Sequence, residues 1–399
     1  MQIRTIQLHR IILLSFAVSA FGIVNSQPLP PKQAYPLNIK QIHSGHSLTD
    51  PLFYPNWPGQ YVNLVAGKNS LQGWQIINTM VGKSTMPGSA MKARWETPVS
   101  GGAPDARVNI ANWELLSITE RVPLLYEGGS TQQWYINGIK EQKDYLSLFV
   151  NNAWNNGNSG KGCPTLLWTT WTNIDNSDGP WRDMLDIQGA EFERMQDHAN
   201  QNRPAGAPPV YIIPGHKMMA RLFDDIKLGK VPGITQINQF FRDNIHTNEL
   251  GAYAISMIHY ACIFNSSPVG LPRNLIPNAP AGTPIPSDSL AAYLQNMIWN
   301  VVTTYPRTGI YETAETSPYV FDNKIINVFP NPAENKVNIS VSAGLLSAPW
   351  VISNISGMEV AKGIISNLQT EISLHSLPPG LYVLKVDSGS GSHKKIIKN

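Results

Sequence analysis

The chain has 399 residues, 42% of them apolar and 14% charged, which allows one large domain plus a smaller one and excludes global disorder. The formal net charge is +3, but the excess sits at the two ends: Arg4 and Arg10 at the start, and seven lysines against four acids from Lys324 onward. The central region is slightly acidic, so no basic face is available for nucleic acid.

The first element reads as a leader. Arg4 and Arg10 precede an apolar run from Ile11 to Val24, and Asn25 and Ser26 close it. This is the order of a cleaved secretory signal over residues 1–26. The run falls short of the ~20 residues needed to span a bilayer, and no later segment is apolar enough to cross a membrane. A retained anchor is the alternative. Cys163 and Cys262 are the only cysteines and both lie in apolar surroundings. Pairing and two buried thiols both stay open, but a disulfide scaffold does not.

From 27 to about 310, short buried strands alternate with stretches of helical period. "IKQIHSG" (39–45), "WELLSIT" (113–119), "PTLLWTTW" (164–171) and "PPVYIIPG" (208–215) read as strands closed by Gly, Pro or a polar residue. Between them "SLQGWQIINTMVG" (70–82), "EQKDYLSLFVNNAW" (141–154), "WRDMLDIQGAEFERMQDHANQ" (181–201) and "HKMMARLFDDIKLG" (216–229) read as helices. The alternation predicts a parallel sheet with helices on both faces. Its functional residues belong at the carboxyl ends of the strands, where Ser47, Thr119, Asn173 and His216 fall. Nine tryptophans lie between Trp57 and Trp181, and most are expected in the core.

Residues 265–287 contain six prolines and read as an extended loop. A helix over 288–306 follows, with Asp288 or Ser287 as its cap and Pro306 as its stop. A polar linker over 311–324 then leads to a segment of different character. Residues 325–399 consist of short alternating strands separated by Gly, Ser, Asn and Pro, which predicts a small all-β sandwich.

A serine hydroxyl needs a base within hydrogen-bond reach to act as a nucleophile. Ser47 stands in "GHSLTD", just past the first strand, and the best base is His246 in "DNIHTNELGAY". Asp243 precedes it by three positions, where a turn can fold the carboxylate onto the imidazole. These two blocks resemble the first and last blocks of the SGNH, or GDSL-type, esterase and lipase superfamily, over residues 35 to about 310. The resemblance implies a three-layer α/β/α flavodoxin-like hydrolase domain acting through an acyl-enzyme. Ser47 would be the nucleophile, His246 the base and Asp243 its orienting acid.

The middle of the family pattern is altered. His46 stands where the family has Asp. The second-block glycine maps to Gly88, with Gly82 as the alternative. "SITERVP" offers no G-x-N-D, so Thr119 takes the place of the missing asparagine as an oxyanion donor. Trp171 and Asn173 are expected to line the substrate site. His216 is expected either to line it too or to cap its helix. His43 and His46 form H-x-x-H without an acidic cluster, so no metal and no cofactor are expected.

The tail carries a second resemblance. "VFPNPAENKVNISV" (328–341), "ISNISGMEVAKG" (352–363), "SLPPGLYVLKV" (376–386) and "HKKIIKN" (393–399) look like a type A sorting domain of the type IX secretion system of Bacteroidetes. A carbohydrate-binding sandwich, with Tyr382 and Trp350 as its aromatic surface, is the alternative. Together the resemblances imply a secreted or cell-surface serine ester hydrolase. Its partners would be the secretion machinery and an ester substrate, with an acetylated polysaccharide foremost and a lipid or small ester as rivals. A non-catalytic surface-binding protein on the same scaffold is the reading from another class.

Overall fold

The structure, a computed structural model, describes residues 29–99, 102–311, 326–341, 348–367, 369–386 and 392–399. The expected signal (1–26) and all but the first residue of the expected linker (311–324) lie outside the described residues. The chain divides between Tyr311 and Glu312 into two compact units.

The first unit holds β1 (Gln41–Gly45), α1 (Gln60–Lys68), α2 (Gly73–Ile76), β2 (Val81–Thr85), α3 (Met91–Glu96), β3 (Leu115–Ile118) and α4 (Gln133–Gly160). It continues with β4 (Thr165–Trp168), α5 (Trp181–Gln201), β5 (Tyr211–Ile213), α6 (Gly215–Lys227), α7 (Glu249–Phe264) and α8 (Asp288–Thr304). The five strands are parallel in the order β2-β1-β3-β4-β5. This is the flavodoxin-like order, in which the crevice at the carboxyl ends of β1 and β3 is the place for a site. Crossovers from β1 to β2 and from β2 to β3 run in opposite directions. Their right-handedness therefore puts α1 and α3 on opposite faces. Accordingly α1 and α8 both pack on α7, and α3 and α5 both pack on α4.

The predicted helix over 70–82 is corrected. Only four residues of it are helical, and Val81–Thr85 is an edge strand paired with β1 from Gln41↔Val81 to Gly45↔Thr85. Pairing decides against local pattern here: the Trp113 ring fills the place where Gly82 would carry a Cβ, and Lys83 reaches out to Asp50 at 3.0 Å. The strand β1, between β2 and β3, is fully buried although Gln41, His43 and Ser44 are polar. The Gln41 side-chain oxygen accepts from the Tyr61 hydroxyl at 2.7 Å and lies 3.0 Å from His43 Nε2. Burial and the neighbouring His259 hold His43 well below its ordinary pKa, so it packs as a neutral ring. Helix α7 is capped by Asn248, whose side chain accepts from the Leu250 and Gly251 amides. Its run of buried residues from Gly251 to Phe264 makes it the innermost helix. Both cysteines are free and buried. Of the nine tryptophans, Trp57, Trp74 and Trp134 are exposed and so stand outside the expected core.

The second unit is all β. β6 (Ile326–Phe329), β7 (Lys336–Val341) and β10 (Gln369–Ser373) form one antiparallel sheet. β8 (Pro349–Asn354), β9 (Glu359–Ile364), β11 (Gly380–Val386) and β12 (Ser392–Lys398) form the other. Val337, Ile339 and Ile372 from the first sheet meet Ile352, Leu384, Val386 and Ile396 from the second in one core. Along β11 the buried residues alternate as Tyr382, Leu384 and Val386, the two-residue period of a half-buried strand. Trp350 and Tyr382 are themselves buried, so neither offers the aromatic surface expected of it in a carbohydrate-binding sandwich.

Candidate active site

β1 ends at Gly45, where nothing larger fits: a Cβ there would lie 2.0 Å from Thr49 Oγ1 and 3.0 Å from the Thr119 methyl group. The chain then turns tightly, with the Thr49 amide donating to the His46 carbonyl at 2.8 Å. Within residues 41–49 only Ser47 is not buried. His46 is the peg beneath this turn. Its Nε2 donates to the Glu120 carbonyl at 3.0 Å, while Nδ1 accepts the Leu48 amide at 3.3 Å. Burial, followed by the charge of Arg94, pushes its pKa down to about 4, so His46 is a neutral structural ring.

The base comes from the loop before α7. Asp243 Oδ1 accepts the amides of Ile245 at 2.9 Å and His246 at 2.7 Å, a local turn that aspartate makes with its own following backbone. The same carboxylate reaches His246 Nδ1, with Oδ2 at 2.8 Å, and on the other side of the ring His246 Nε2 lies 2.8 Å from Ser47 Oγ. Nδ1 therefore carries the proton, and Nε2 turns its lone pair toward the serine. Burial alone would raise the Asp243 carboxyl, but the His246 and Ile245 amides and the His246 ring outweigh it and hold the pKa at about 2. Thus the structure brings Ser47, His246 and Asp243 into one hydrogen-bonded line across 199 residues of sequence.

The remaining expected site residues divide. Gly88, in the loop after β2, is exposed and has φ +64°, a left-handed conformation that suits glycine. Among the described residues neither its amide nor that of Ser47 donates a hydrogen bond. Gly82 lies inside β2 and away from this loop. Thr119 is corrected. It is fully buried, its hydroxyl points at the Glu120 carbonyl, and no substrate atom can touch it. Trp171 is also fully buried and does not wall a cleft. Its indole N–H donates to the Ile245 carbonyl at 2.9 Å, supporting the loop that carries the base. His216 is buried against Thr169 Oγ1 at 2.7 Å, and burial holds its pKa at about 3. It is core rather than cleft, wedged so tightly on Gly189 that no Cβ would fit there. The Asn173 amide group is committed to Asp178 Oδ2 at 3.0 Å, which shapes the loop after β4.

The sequence gives no hint of Arg94. An arginine ordinarily faces solvent, yet this one is 2% exposed. Its guanidinium donates to the Ser89 carbonyl at 2.7 Å, to Ser89 Oγ at 3.0 Å and to the Thr119 carbonyl. It thereby ties the Gly88 loop to the segment after β3. Burial draws its pKa down to about 10, while the neighbouring Glu120, itself raised by burial, works against the shift. Replacing Arg94 with methionine leaves the Ser89 and Thr119 carbonyls buried without their donor, at about 1–3 kcal/mol each, and removes the positive charge that offsets the burial of Glu120. The expected result is a melting temperature lower by about 10 °C, with kcat on a small ester reduced at least tenfold as the Gly88 loop loosens. Thermal melts and steady-state kinetics of the variant check both.

A cavity of about 340 Å³ opens beside this loop, lined by Ala90, Glu120, Arg121, Pro123, Leu125 and Tyr145 among others. A larger one of about 580 Å³, lined by Lys40, Asn78, Trp113, Glu114 and Asn158, lies at the amino ends of the strands, away from Ser47. Among the described residues no cluster of three or more His, Cys, Asp or Glu is arranged to hold a metal ion.

Residues 327–399 match the family of secretion system C-terminal sorting domains. The chain carries a type IX sorting tail. Its destination is therefore the cell surface or the medium, and among the described residues no helix is long and apolar enough to cross a membrane. No curated protein matches the sequence. Among solved structures the chain is similar to a DUF4886 family protein from Bacteroides uniformis, at 14% identity and TM-score 0.46, covering 67% of this chain and 96% of that one. It is also similar to a GDSL-like lipase candidate from Parabacteroides merdae, at 14% identity and TM-score 0.36, covering 59% and 97%. A third is a phospholipase A1 from Streptomyces albidoflavus, at 10% identity and TM-score 0.28, covering 54% and 94%.

Proposed function

We infer that this exported protein is a serine ester hydrolase of the SGNH type. One observation carries the reading: Ser47 Oγ sits 2.8 Å from His246 Nε2 while Asp243 holds the opposite ring nitrogen. Ser47 Oγ attacks the acyl carbon as His246 takes its proton. The Ser47 and Gly88 amides receive the charge that develops on the carbonyl oxygen. Collapse breaks the bond to the alcohol, to which His246 returns the proton, and leaves the acyl group on Ser47. Water, deprotonated by the same imidazole, then releases the acid and restores the serine.

With Thr119 buried, two backbone donors stand where the family uses a third from asparagine. Losing one such donor costs about 10²–10³ in rate, which favours a slow enzyme. It also keeps the surface-binding protein as the rival reading. A fluorophosphonate probe separates them, since it reacts only with an activated serine. The expected result is a single modified peptide containing Ser47 when the full chain is labelled and mapped by mass spectrometry. No label at Ser47 under conditions that label a control esterase would leave the rival standing.

A further inference from the structure

Directly after the nucleophile turn the chain returns to the surface. A short 3-10 helix, Asp50–Leu52, ends with Leu52 and Phe53 buried, and the next residues turn two large rings outward. Tyr54 is 42% exposed and Trp57 49%. They are nonetheless arranged: their centroids lie 5.3 Å apart with planes inclined at 39°. The Lys83 ammonium lies 5.4 Å from the Tyr54 ring centroid and is held by Asp50 at 3.0 Å. Gly59, at φ +92°, presses on the Leu52 carbonyl and closes this loop on its own start. Gly73 lies so close to Pro58 that a Cβ would stand 2.5 Å from its ring, which puts Trp74, 70% exposed, on the same stretch of surface.

Exposed indole and phenol rings held side by side mark a surface that something covers. Leu71 is the one large aliphatic residue exposed between 54 and 75, while the exposed Gln72 and Gln75 supply amides. A lipid face would present aliphatic side chains. Flat rings bordered by amides instead suit the C–H face and hydroxyl edge of a pyranose. Among the described residues the one cation stacked on these rings, Lys83, is already paired with Asp50, which leaves no free charge on them to select an anionic polymer. Seven residues at most ~3.6 Å each separate Ser47 from Tyr54, a reach of a few sugar units.

We propose that Tyr54, Trp57 and Trp74 form a sugar-stacking platform that holds a neutral, partly acylated polysaccharide and presents its ester to Ser47. The presentation step rests on the ester-hydrolase reading; the binding step does not. Binding is therefore measured with the full chain carrying Ser47→Ala, by affinity electrophoresis in acetylated xylan, acetylated glucomannan and soluble cellulose acetate. At least one polymer is expected to retard the protein, and adding Trp57→Ala is expected to weaken that retardation tenfold or more. Trp134→Ala, an indole on the first turn of α4 that is more exposed than Trp57, is the control and changes nothing. In the active protein, Trp57→Ala is expected to lower kcat/KM on the retained polymer at least tenfold through KM, relative to p-nitrophenyl acetate. Retardation by none of the three polymers, or retardation indifferent to Trp57, overturns the platform. Sugar binding without any ester turnover overturns the hydrolase reading and leaves the platform intact.

Discussion

Replacing Ser47 with alanine is expected to lower kcat on p-nitrophenyl acetate by about 10⁶-fold, to the level the backbone donors and binding alone can supply. The hydroxyl is half-buried, contacts His246 and supports no other element, so the melting temperature should stay within about a degree or two. This pairing of a total kinetic loss with an unchanged fold separates chemistry from structure. Replacing His246 instead should cost a similar factor. The double replacement should cost little more, because nucleophile and base act as one unit. Turnover by Ser47→Ala within tenfold of the parent would mean that hydrolysis, if any, occurs elsewhere, and the hydrolase assignment would go with it.

What the sequence could reveal follows the range of the interactions. Asp243 and His246 are legible because the Asp-to-backbone turn that joins them is complete within four residues. Ser47 is legible because a glycine ends its strand and leaves a hydroxyl at the tip. The order of α7, α8 and the tail strands is likewise written in local period and capping residues. Side-chain direction is not. Thr119, Trp171 and His216 all fall at strand ends, as the chain pattern says, but each points into the core, and strand-end position carries no information about that. Arg94 shows the converse. Its residue type marks it as exposed, and the Ser89 carbonyl five residues before it and the Thr119 carbonyl after β3 hold it inward. β2 escapes notice because its register with β1, rather than its own composition, makes it a strand. The platform is hidden by residue type, since tryptophan and tyrosine predict burial and only the folded surface shows which of them stay outside.

Asp243→Asn is expected to cost about 10³–10⁴-fold in kcat/KM while leaving the loop in place. Asparagine keeps an oxygen for the Ile245 and His246 amides, so the local turn persists. Its side-chain N–H₂, however, faces His246 Nδ1 as a donor where the carboxylate was an acceptor. The ring then carries its proton on Nε2 and offers Ser47 an N–H in place of a lone pair, a tautomer that cannot accept the hydroxyl proton. The pH behaviour gives a second readout. Because the carboxyl is held at about 2, below its ordinary 3.8, Asp243 remains charged through the range of any practical assay. It adds no titration to the activity profile. In stability the sign is that of a depressed acid: the contribution is present above pH 3.8 and is lost as pH falls toward 2. The carboxylate is 49% exposed, so solvent screens the effect and it stays small. The lead in melting temperature of the parent over Asp243→Asn should accordingly be modest at pH 6 and shrink toward zero by pH 2. A variant that keeps more than a tenth of the parental kcat/KM would show that His246 finds its tautomer without the carboxylate.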